Sequence, residues 1–374
     1  MDTTTTPATT TVTLLFTDLV NSTRLLDRLG DEAAGRLRRH HFALLRREIA
    51  AAGGEEVKSL GDGLMVAFRS ARAALVCAVA MQRAVDTDNR SGHPVQIRVG
   101  LHCGEPDREE QDFFGTAVVV ARRLCDSAQG GEILASEVVA LLAGSEPEIP
   151  HRTLGPLPLK GLSEPVPAVA IDWRASRTGP AERRAETAAV VYADLPAPVG
   201  ALSGQVWLNL TRRAVRRAGG RHVDGPGEGV LAVFSSVLGA VRFARSLQGG
   251  GSGAVVAHGL RVAVHAGEDA DLTPVADVAR TLCRTARAGE VVTSRVVAAF
   301  VGTRSELHPV AIPGVLLLAA VLRPASPNLP GRGVGGQPRH GSRLGRRRRR
   351  PLGRKRRPLR RLRRPPQLAS PGRG

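Results

Sequence analysis

The apolar positions near the start of the chain predict a buried strand followed by a helix. Residues 11–17 form an uninterrupted run of apolar and β-branched side chains, which is typical of a buried strand. The run ends at Asp18, and a helical pattern begins near Asn21. We therefore expect Asp18 to lie at the end of a core strand.

Two shorter apolar runs predict a β-hairpin. Strands are expected from Glu56 to Leu60 and from Leu64 to Phe68, and the Gly61-Asp62-Gly63 stretch between them places Asp62 at the hairpin tip. Carboxylates at adjacent strand ends can share divalent cations, which prefer oxygen ligands. Each aspartate also has a structural explanation, because Asp18 can cap the helix and Asp62 can form the turn.

The residues between Asp18 and the first helix are candidates for phosphate binding, because the free amides at a helix N-terminus suit a phosphate chain. They are Leu19, Val20, Asn21, Ser22 and Thr23. Lysine usage adds a second kind of candidate. The chain has three lysines among its 53 basic residues, and one of them, Lys58, opens the hairpin stretch. Since arginine does not replace the compact charge of lysine, Lys58 is a candidate binding residue.

Six ordered stretches between about Thr11 and Trp173 resemble the class III nucleotidyl cyclase catalytic domain. They are TLLFTDLVNSTRL, VKSLGDGLMVAF, IRVGLHCGE, DFFGTAVVVARRLCDSA, GGEILAS and LGPLPLKGLSEPV. The resemblance implies an α/β (α+β) fold, a ferredoxin-like βαββαβ sheet with helices packed on one face. It also implies two Mg²⁺ or Mn²⁺ ions per site, with Asp18 and Asp62 as metal carboxylates, Lys58 and Asp112 reading the adenine edge, Arg123 stabilising charge in the transition state and Lys160 contacting the triphosphate.

These residue types fit attack of the ribose 3′-hydroxyl on the α-phosphate, which requires an acidified hydroxyl, held phosphates and fixed cations. A lysine with a carboxylate matches the acceptor and donor of adenine, whereas guanine presents the opposite pattern. We therefore expect an adenylate cyclase of intracellular signalling that converts ATP to cyclic AMP and pyrophosphate. The alternative is a catalytically silent regulatory module that binds nucleotide or a partner through the cyclase dimer surface.

One position departs from the family pattern. The family has an asparagine four residues before the catalytic arginine, where it orients the ribose, and this chain has Val119. Loss of that donor predicts a fall on the order of a hundredfold in rate. Arg122 lies about 100° around the helix from Arg123, so we do not expect it to compensate. Alternatively, Val119 belongs to an apolar helix face, Val118 to Ala121, and is a core residue.

The second half of the chain repeats the first. AAVVYADL, GRHVDGPGEGVLAVF, GLRVAVHAGE and VADVARTLCRTARAGEVVTS echo the stretches above and predict a degenerate cyclase-like copy. Asp194 matches Asp18, but Glu228 replaces Asp62 and Asp224 replaces Lys58. Asp277 occupies the asparagine position and Thr281 the position of Arg123. The counterpart of Lys160 is missing.

The family resemblance also implies head-to-tail dimers whose sites take metal carboxylates from one domain and nucleotide contacts from the other. If the two halves pair in this way within one chain, Asp18 and Asp62 face Asp224, Asp277 and Thr281. A homodimer of first halves instead assembles two sites that lack only the asparagine. The sequence leaves both assemblies open.

The positive charge of the chain is concentrated at its C-terminus. The net charge is +19, yet residues from Leu322 onward hold 18 of the 53 basic residues and no acidic one. Such a segment is expected to be disordered. It can bind nucleic acid or anionic lipid nonspecifically; a solvated tail and an out-of-frame reading of the gene are the alternatives.

The domain prediction follows from these patterns. It comprises a disordered N-terminus at 1–10, a cyclase domain at 11–173, a linker at 174–187, a degenerate cyclase-like domain at 188–322 and a basic tail at 323–374. Each of the two domains is long enough for an independent core. Without a signal region or an apolar run that could cross a bilayer, we expect a soluble, cytoplasmic protein.

Overall fold

Two sheets with the same strand order form the framework of the computed structural model. The structure describes residues 10–90, 94–144, 149–176, 185–194, 204–223, 229–248, 260–269, 271–302, 307–310 and 319–322. The expected N-terminal segment, except Thr10, and the basic tail lie outside the described residues. The described part belongs to one compact unit that ends at Ala325.

The elements of the first half alternate between strands and helices. They are β1 (Val12–Leu19), α1 (Ser22–Leu29), α2 (Asp31–Ala51), β2 (Glu55–Ser59), β3 (Leu64–Phe68), α3 (Ala71–Asp88), β4 (Ile97–Gly104), β5 (Asp107–Glu109), β6 (Asp112–Phe114), α4 (Thr116–Ser127), β7 (Ile133–Ser136), α5 (Glu137–Ala143), β8 (His151–Leu157) and β9 (Val166–Ile171).

The second half follows the same order without a counterpart of β5 and β6 among the described residues. Its elements are β10 (Thr187–Asp194), α6 (Gly204–Arg217), β11 (Arg221–Val223), β12 (Val230–Phe234), α7 (Val237–Gln248), β13 (Arg261–Glu268), α8 (Leu272–Thr285), β14 (Val291–Thr293), α9 (Arg295–Val301), β15 (Leu307–Val310) and β16 (Ala319–Leu322).

The sheet topology confirms the expected ferredoxin-like arrangement. The first sheet has the order β2-β3-β1-β4-β7-β9-β8, and the second has the order β11-β12-β10-β13-β14-β16-β15. The first four strands of each order correspond to the βαββαβ unit, and the remaining three extend the sheet. The second half therefore has the fold of the first in the described residues.

Helices cover both faces of the first sheet, which corrects the expectation of helices on one face. Leu15 of β1 packs in the core beneath α2 and α3, whereas Leu14 and Phe16 pack against α4 on the opposite face. Because successive strand residues point to opposite faces, a strand that is apolar at every position requires cover on both sides. All eight residues of β1 are buried, and this observation explains the second layer.

A close approach of helix and sheet fixes the position of α4. A Cβ atom on Gly100 of β4 would lie 2.1 Å from the backbone nitrogen of Cys125 in α4. That distance is far below van der Waals contact, so only glycine fits there. The close packing holds the residues of α4 over the ends of β1 and β4.

Reciprocal backbone contacts join the two halves. The N–H of Thr11 donates to the carbonyl of Ser235 at 2.9 Å, and the N–H of Thr187 donates to the carbonyl of Arg69 at 2.9 Å. Thr11 and Thr187 occupy equivalent positions just before β1 and at the start of β10. The interface is therefore nearly symmetric.

Each half also supplies a carboxylate to the start of a helix in the other half. Glu268 accepts hydrogen bonds from the Ser70 hydroxyl at 2.7 Å and from the N–H groups of Ala71 and Arg72 at 2.5 and 3.1 Å. These groups begin α3, where the unpaired N–H groups and the helix dipole favour an anion.

The second carboxylate repeats this arrangement in the opposite direction. Glu105 accepts from the Ser236 hydroxyl at 2.8 Å and from the N–H of Leu238 at 2.9 Å, at the start of α7. The threonines complete the two sets, since Thr11 donates to Glu105 at 3.0 Å and Thr187 donates to Glu268 at 2.5 Å. We call these contacts the reciprocal carboxylate caps.

A shared apolar core accompanies the caps. The largest cluster of buried apolar side chains runs from the first half, for example Leu101 and Val139, into the second, for example Val191 and Val297. The two halves therefore share apolar packing at their interface, where α5 contacts α9.

The interface lies away from the predicted chemistry. Thr11 lies just before β1 and Asp18 near its end, about 23 Å apart at 3.3 Å per residue. Asp277 and Thr281 belong to α8, which packs against strands of its own half. Of the arrangements that the sequence left open, the described intramolecular pairing therefore does not produce the one that brings Asp18 to Asp277 and Thr281. No helix among the described residues is long and apolar enough to cross a membrane.

Candidate active site

The two predicted metal carboxylates lie at neighbouring strand ends. Asp18 is buried in β1, with 6% of its surface exposed, and Asp62 lies at the tip of the β2–β3 hairpin. A Cβ atom on Gly63 would lie 2.0 Å from the carbonyl oxygen of Thr17 and 3.3 Å from the Cα of Asp18. The hairpin tip therefore packs directly on the end of β1, and only a glycine after Asp62 permits this contact.

The hairpin turn differs in one detail from the Asp-Gly type. The N–H of Leu60 donates to the carbonyl of Gly63 at 2.8 Å, which makes Gly61 and Asp62 the two central residues. The positive φ of 85° falls on Gly61, as in turns with glycine at the first central position. Asp62 therefore does not need a positive φ in this turn. Its Oδ2 accepts a hydrogen bond from the Ser22 hydroxyl at 2.5 Å.

Two arginines contact Asp18 and were not foreseen as partners. Arg98 is its cross-strand neighbour on β4 and donates to Oδ2 from Nε at 2.8 Å and from Nη2 at 2.5 Å. Arg122 of α4 reaches Oδ1 from Nη2 at 3.4 Å. Burial lowers the pKa of Arg98, but the hydrogen bond and charge of Asp18 outweigh that effect and raise the pKa above its usual value. Arg98 is therefore a fixed counter-ion of Asp18.

Asp126 links the two adjacent arginines of α4. Its Oδ1 lies 3.1 Å from Nε of Arg122, and its Oδ2 lies 2.9 Å from Nη1 of Arg123. Nε of Arg123 donates to the carbonyl oxygen of Lys160 at 3.1 Å. The structure therefore joins the predicted transition-state arginine to the backbone of Lys160, the predicted triphosphate lysine, and links it through Asp126 to Arg122.

Lys58 and Asp112, the predicted base-reading pair, are in direct contact. Lys58 Nζ lies 2.5 Å from Asp112 Oδ2, and it also lies 5.9 Å from the ring centroid of Phe114. The hydrogen bond from Lys58 lowers the pKa of Asp112, assisted by the N–H of Phe113. Asp112 is therefore ionised at neutral pH and accepts hydrogen bonds.

The β5–β6 hairpin that carries Asp112 has no equivalent in the second half. There, residues 269–271 alone connect β13 to α8, which is too short for a two-stranded insertion. A comparison of the two repeats could have found this difference, since the first repeat has eleven residues between β4 and α4.

Part of the predicted phosphate loop is already hydrogen-bonded to other backbone groups of the protein. The N–H of Val20 donates to the carbonyl of Gln96 at 2.9 Å, so this amide does not face a phosphate. Leu19 is buried at the end of β1, and Asn21 adopts a positive φ of 57° just before α1. The residues that open α1, Ser22 and Thr23, remain candidates through their backbone.

Val119 is not a core residue. Its side chain is 40% exposed, whereas the neighbouring Val120 and Ala121 are buried at 4% and 0%. Two other large apolar side chains of the first half, Leu60 and Phe114, are also at least one-third exposed. Leu60 follows β2, Phe114 ends β6 and Val119 lies in α4.

The second half preserves part of the arrangement. Arg261 pairs with Asp194, as Arg98 pairs with Asp18. Arg280, which matches Arg122, instead contacts Asp277 at 2.7 Å on its own helix. The other two predicted replacements, Asp224 and Glu228, lie outside the described residues.

The donors at the first site fit divalent metals bound in part through substrate phosphates. Asp18 and Asp62 provide carboxylate oxygens that Mg²⁺ and Mn²⁺ prefer, and such ions are commonly held by one or two carboxylates plus phosphate groups. The described residues contain no group of three or more His, Cys, Asp or Glu side chains able to hold a metal by themselves. The contact between Gly63 and the end of β1 holds both carboxylates at one location.

Known proteins match the same part of the chain. Residues 5–169 match the family model of the adenylate and guanylate cyclase catalytic domain. An adenylate cyclase of Mycosarcoma maydis is 37% identical over 155 residues, which are 34% of this chain and 6% of that protein. An uncharacterised protein of Mycobacterium tuberculosis is 32% identical over 162 residues, which are 42% of this chain and 55% of that protein.

A solved adenylate/guanylate cyclase/hydrolase from Silicibacter pomeroyi has 29% identity, covers 43% of this chain and 95% of its own, and has a TM-score of 0.39. The chain spans 6% to 9% of the length of the fungal adenylate cyclases that it matches. The family match covers the region that carries Asp18, Asp62, Lys58, Asp112 and Arg123. Over residues 5–169, this chain is therefore similar to the adenylate and guanylate cyclase catalytic domain.

Proposed function

We propose that the first half is an adenylate cyclase that converts ATP to 3′,5′-cyclic AMP and pyrophosphate in intracellular signalling. The observation that carries the proposal is the pair of carboxylates at the joined strand ends, Asp18 and Asp62, in a domain that also pairs Lys58 with Asp112. The first pair fits metal-assisted phosphoryl chemistry, and the second fits the edge of adenine.

Each group of site residues has a separate role in the proposed reaction. Two divalent ions held by Asp18 and Asp62 would acidify the ribose 3′-hydroxyl and neutralise the phosphates. Lys58 donates to the ring-nitrogen acceptor of adenine, and ionised Asp112 accepts from its amino group. Arg123 offers a fixed cation to the charge that develops as the 3′-oxygen bonds to the α-phosphorus and pyrophosphate leaves.

We further propose that complete sites form between the first halves of two chains. Among the described residues, the backbone contacts with the second half lie at the end of β1 opposite Asp18. The exposed apolar side chains of Leu60, Phe114 and Val119 support a protein partner for the first half. In such a dimer, the carboxylates of one chain face Lys58, Asp112, Arg123 and Lys160 of the other.

The reaction is tested by measuring cyclic AMP formation from ATP and Mn²⁺ by purified full-length protein and its Asp62→Ala variant. We expect activity in the wild type and a loss of at least a hundredfold in the variant, on the order of the 3 kcal/mol that one catalytic electrostatic contact supplies. The matched control is Asp86→Ala, which removes an exposed carboxylate of α3 and keeps wild-type activity.

A catalytically silent regulatory module is the second candidate. The absence of a hydrogen-bonding side chain at Val119 and the two arginines on Asp18 favour it. If wild-type protein at high concentration makes no more cyclic AMP than Asp62→Ala, the cyclase proposal is overturned and nucleotide binding without turnover becomes the function to measure.

A further inference from the structure

Arg122 contacts a proposed metal ligand, although the reaction assigns no role to it. It lies on α4 next to Arg123, but the two side chains have different partners. Arg123 reaches the carbonyl oxygen of Lys160, whereas Arg122 reaches the carboxylate of Asp18. Asp126 contacts both guanidinium groups.

The two counter-ions of Asp18 differ in strength. Arg98 covers Oδ2 with two short hydrogen bonds, at 2.8 and 2.5 Å, and its Nη1 is also fixed on the carbonyl oxygen of Asp126 at 2.9 Å. Arg122 covers Oδ1 with one long contact of 3.4 Å, and its side chain is 34% exposed. Oδ1 is therefore the oxygen that a cation from solvent can take, and Arg122 is the group that it must displace.

The local sequence explains why Arg122 points to Asp18. In the second half, Arg280 bonds to Asp277 three residues earlier on the same helix. Val119 stands at that place in the first half and accepts no hydrogen bond. Asp126, four residues later, holds Nε of Arg122 instead, and its counterpart in the second repeat is Arg284. The guanidinium is thus directed toward the end of β1.

We propose that Arg122 is a displaceable counter-ion of Asp18 that sets the divalent-cation concentration at which the site fills. In the metal-free protein it neutralises Oδ1 of Asp18. When a divalent cation binds that oxygen, the guanidinium leaves Asp18 and remains attached to Asp126. The inference rests on the proposed function, because it takes Asp18 as a metal ligand.

The expected effect of Arg122 on Mn²⁺ affinity follows from the solvent exposure of its ion pair with Asp18. A partly exposed ion pair contributes up to about 1 kcal/mol, which corresponds to about a fivefold change in an equilibrium constant. Direct repulsion between the guanidinium and the entering cation adds to this cost. We expect Arg122→Ala to bind Mn²⁺ about three- to tenfold more tightly than the wild type.

The test is a titration of Mn²⁺ without nucleotide, in which electron paramagnetic resonance measures the free ion. The full-length wild type is compared with Arg122→Ala, Arg122→Gln and Arg123→Ala, and thermal melting checks that each variant is folded. Arg122→Gln retains most of the side-chain stem, and it should tighten Mn²⁺ binding as Arg122→Ala does. Arg123→Ala removes an equal charge that contacts Asp126 but not Asp18, and it should change the affinity less than twofold.

Three outcomes would overturn the proposal: unchanged or weaker Mn²⁺ binding by both Arg122 variants, equal tightening by Arg123→Ala, and no binding by any variant. The last outcome would also remove the metal assignment on which the cyclase proposal depends. A different result would separate the two proposals. If the Arg122 variants bind Mn²⁺ more tightly, but neither the wild type nor any variant forms cyclic AMP, this inference stands and the cyclase reaction is contradicted.

Discussion

At the scale of single residues, the position of Val119 gives the sharpest test of the site. The side chain is 40% exposed, so Val119→Asn introduces an amide without burying it unpaired. We expect turnover to rise about tenfold to a hundredfold with little change in apparent ATP affinity, since the missing group acts mainly on the transition state. Steady-state kinetics and thermal melting on one preparation measure both quantities.

A conservative control accompanies that variant. Val119→Thr keeps the shape of valine and lacks the reach of an amide, so its turnover should stay near that of the wild type. Equal turnover for Val119→Asn and wild type, with a lower melting temperature, would show that valine serves packing on this helix rather than marking a weakened site.

At the residue scale, the positions of several site residues could be predicted from the sequence, but their contacts could not. Asp18 and Asp62 could be located because strand ends and hairpin tips follow from apolar runs and glycine positions, and Lys58 because lysine is rare in this chain. The contacts of Asp18 with Arg98 and Arg122 could not, because they depend on the register of β1 with β4 and on the depth at which α4 packs. Neither is encoded in local spacing.

At the scale of elements, the contact between β2 and β6 determines which base the first half should accept. Lys58 on β2 meets Asp112 on β6 at 2.5 Å. We expect Lys58→Glu combined with Asp112→Cys to lower kcat/KM for ATP at least tenfold more than kcat/KM for GTP, because a hydrogen-bonding site rejects an edge that leaves its polar groups unpaired. Assays with both nucleotides under the same Mn²⁺ concentration measure the ratio.

Two single variants make the comparison interpretable. Lys58→Glu alone and Asp112→Cys alone should each lose activity with both nucleotides, since each leaves the other member of the pair without its match. An identical loss for ATP and GTP in the double variant would mean that the pair holds the β5–β6 hairpin in place and does not read the base.

Element order was more predictable than element packing. The strands β1 and β3 were expected from their apolar residues, and the hairpin from its glycines. The cover of both sheet faces was not expected, although the buried run of β1 contained that information: a strand with apolar residues on both faces needs two layers. The β5–β6 hairpin escaped notice because three-residue strands carry no periodic pattern.

At the scale of the whole molecule, the reciprocal carboxylate caps should make the two halves unfold together. Glu268→Gln replaces an acceptor of four hydrogen bonds at the start of α3 with a neutral amide. We expect a loss of about 2 kcal/mol in the free energy of unfolding, as for hydrogen bonds to a charged group. Urea denaturation followed by circular dichroism measures it.

The matched control is Glu109→Gln on β5, whose side chain is exposed and lies away from the interface. It should leave the free energy of unfolding within about 0.5 kcal/mol of the wild type. Glu105→Gln should resemble Glu268→Gln in magnitude. Two separate unfolding transitions in the wild type, or a loss for Glu268→Gln no larger than for Glu109→Gln, would show that the halves are stabilised independently.

The caps also show what the gene duplication has retained. Thr11, Ser70 and Glu105 in the first copy correspond to Thr187, Ser236 and Glu268 in the second, and the three pairs are identical in type. Positions on α4 and α8 differ between the two halves, for example Val119 and Asp277 or Arg123 and Thr281. The two halves are therefore alike at the surface through which they contact each other and unlike at the positions predicted to act on a nucleotide.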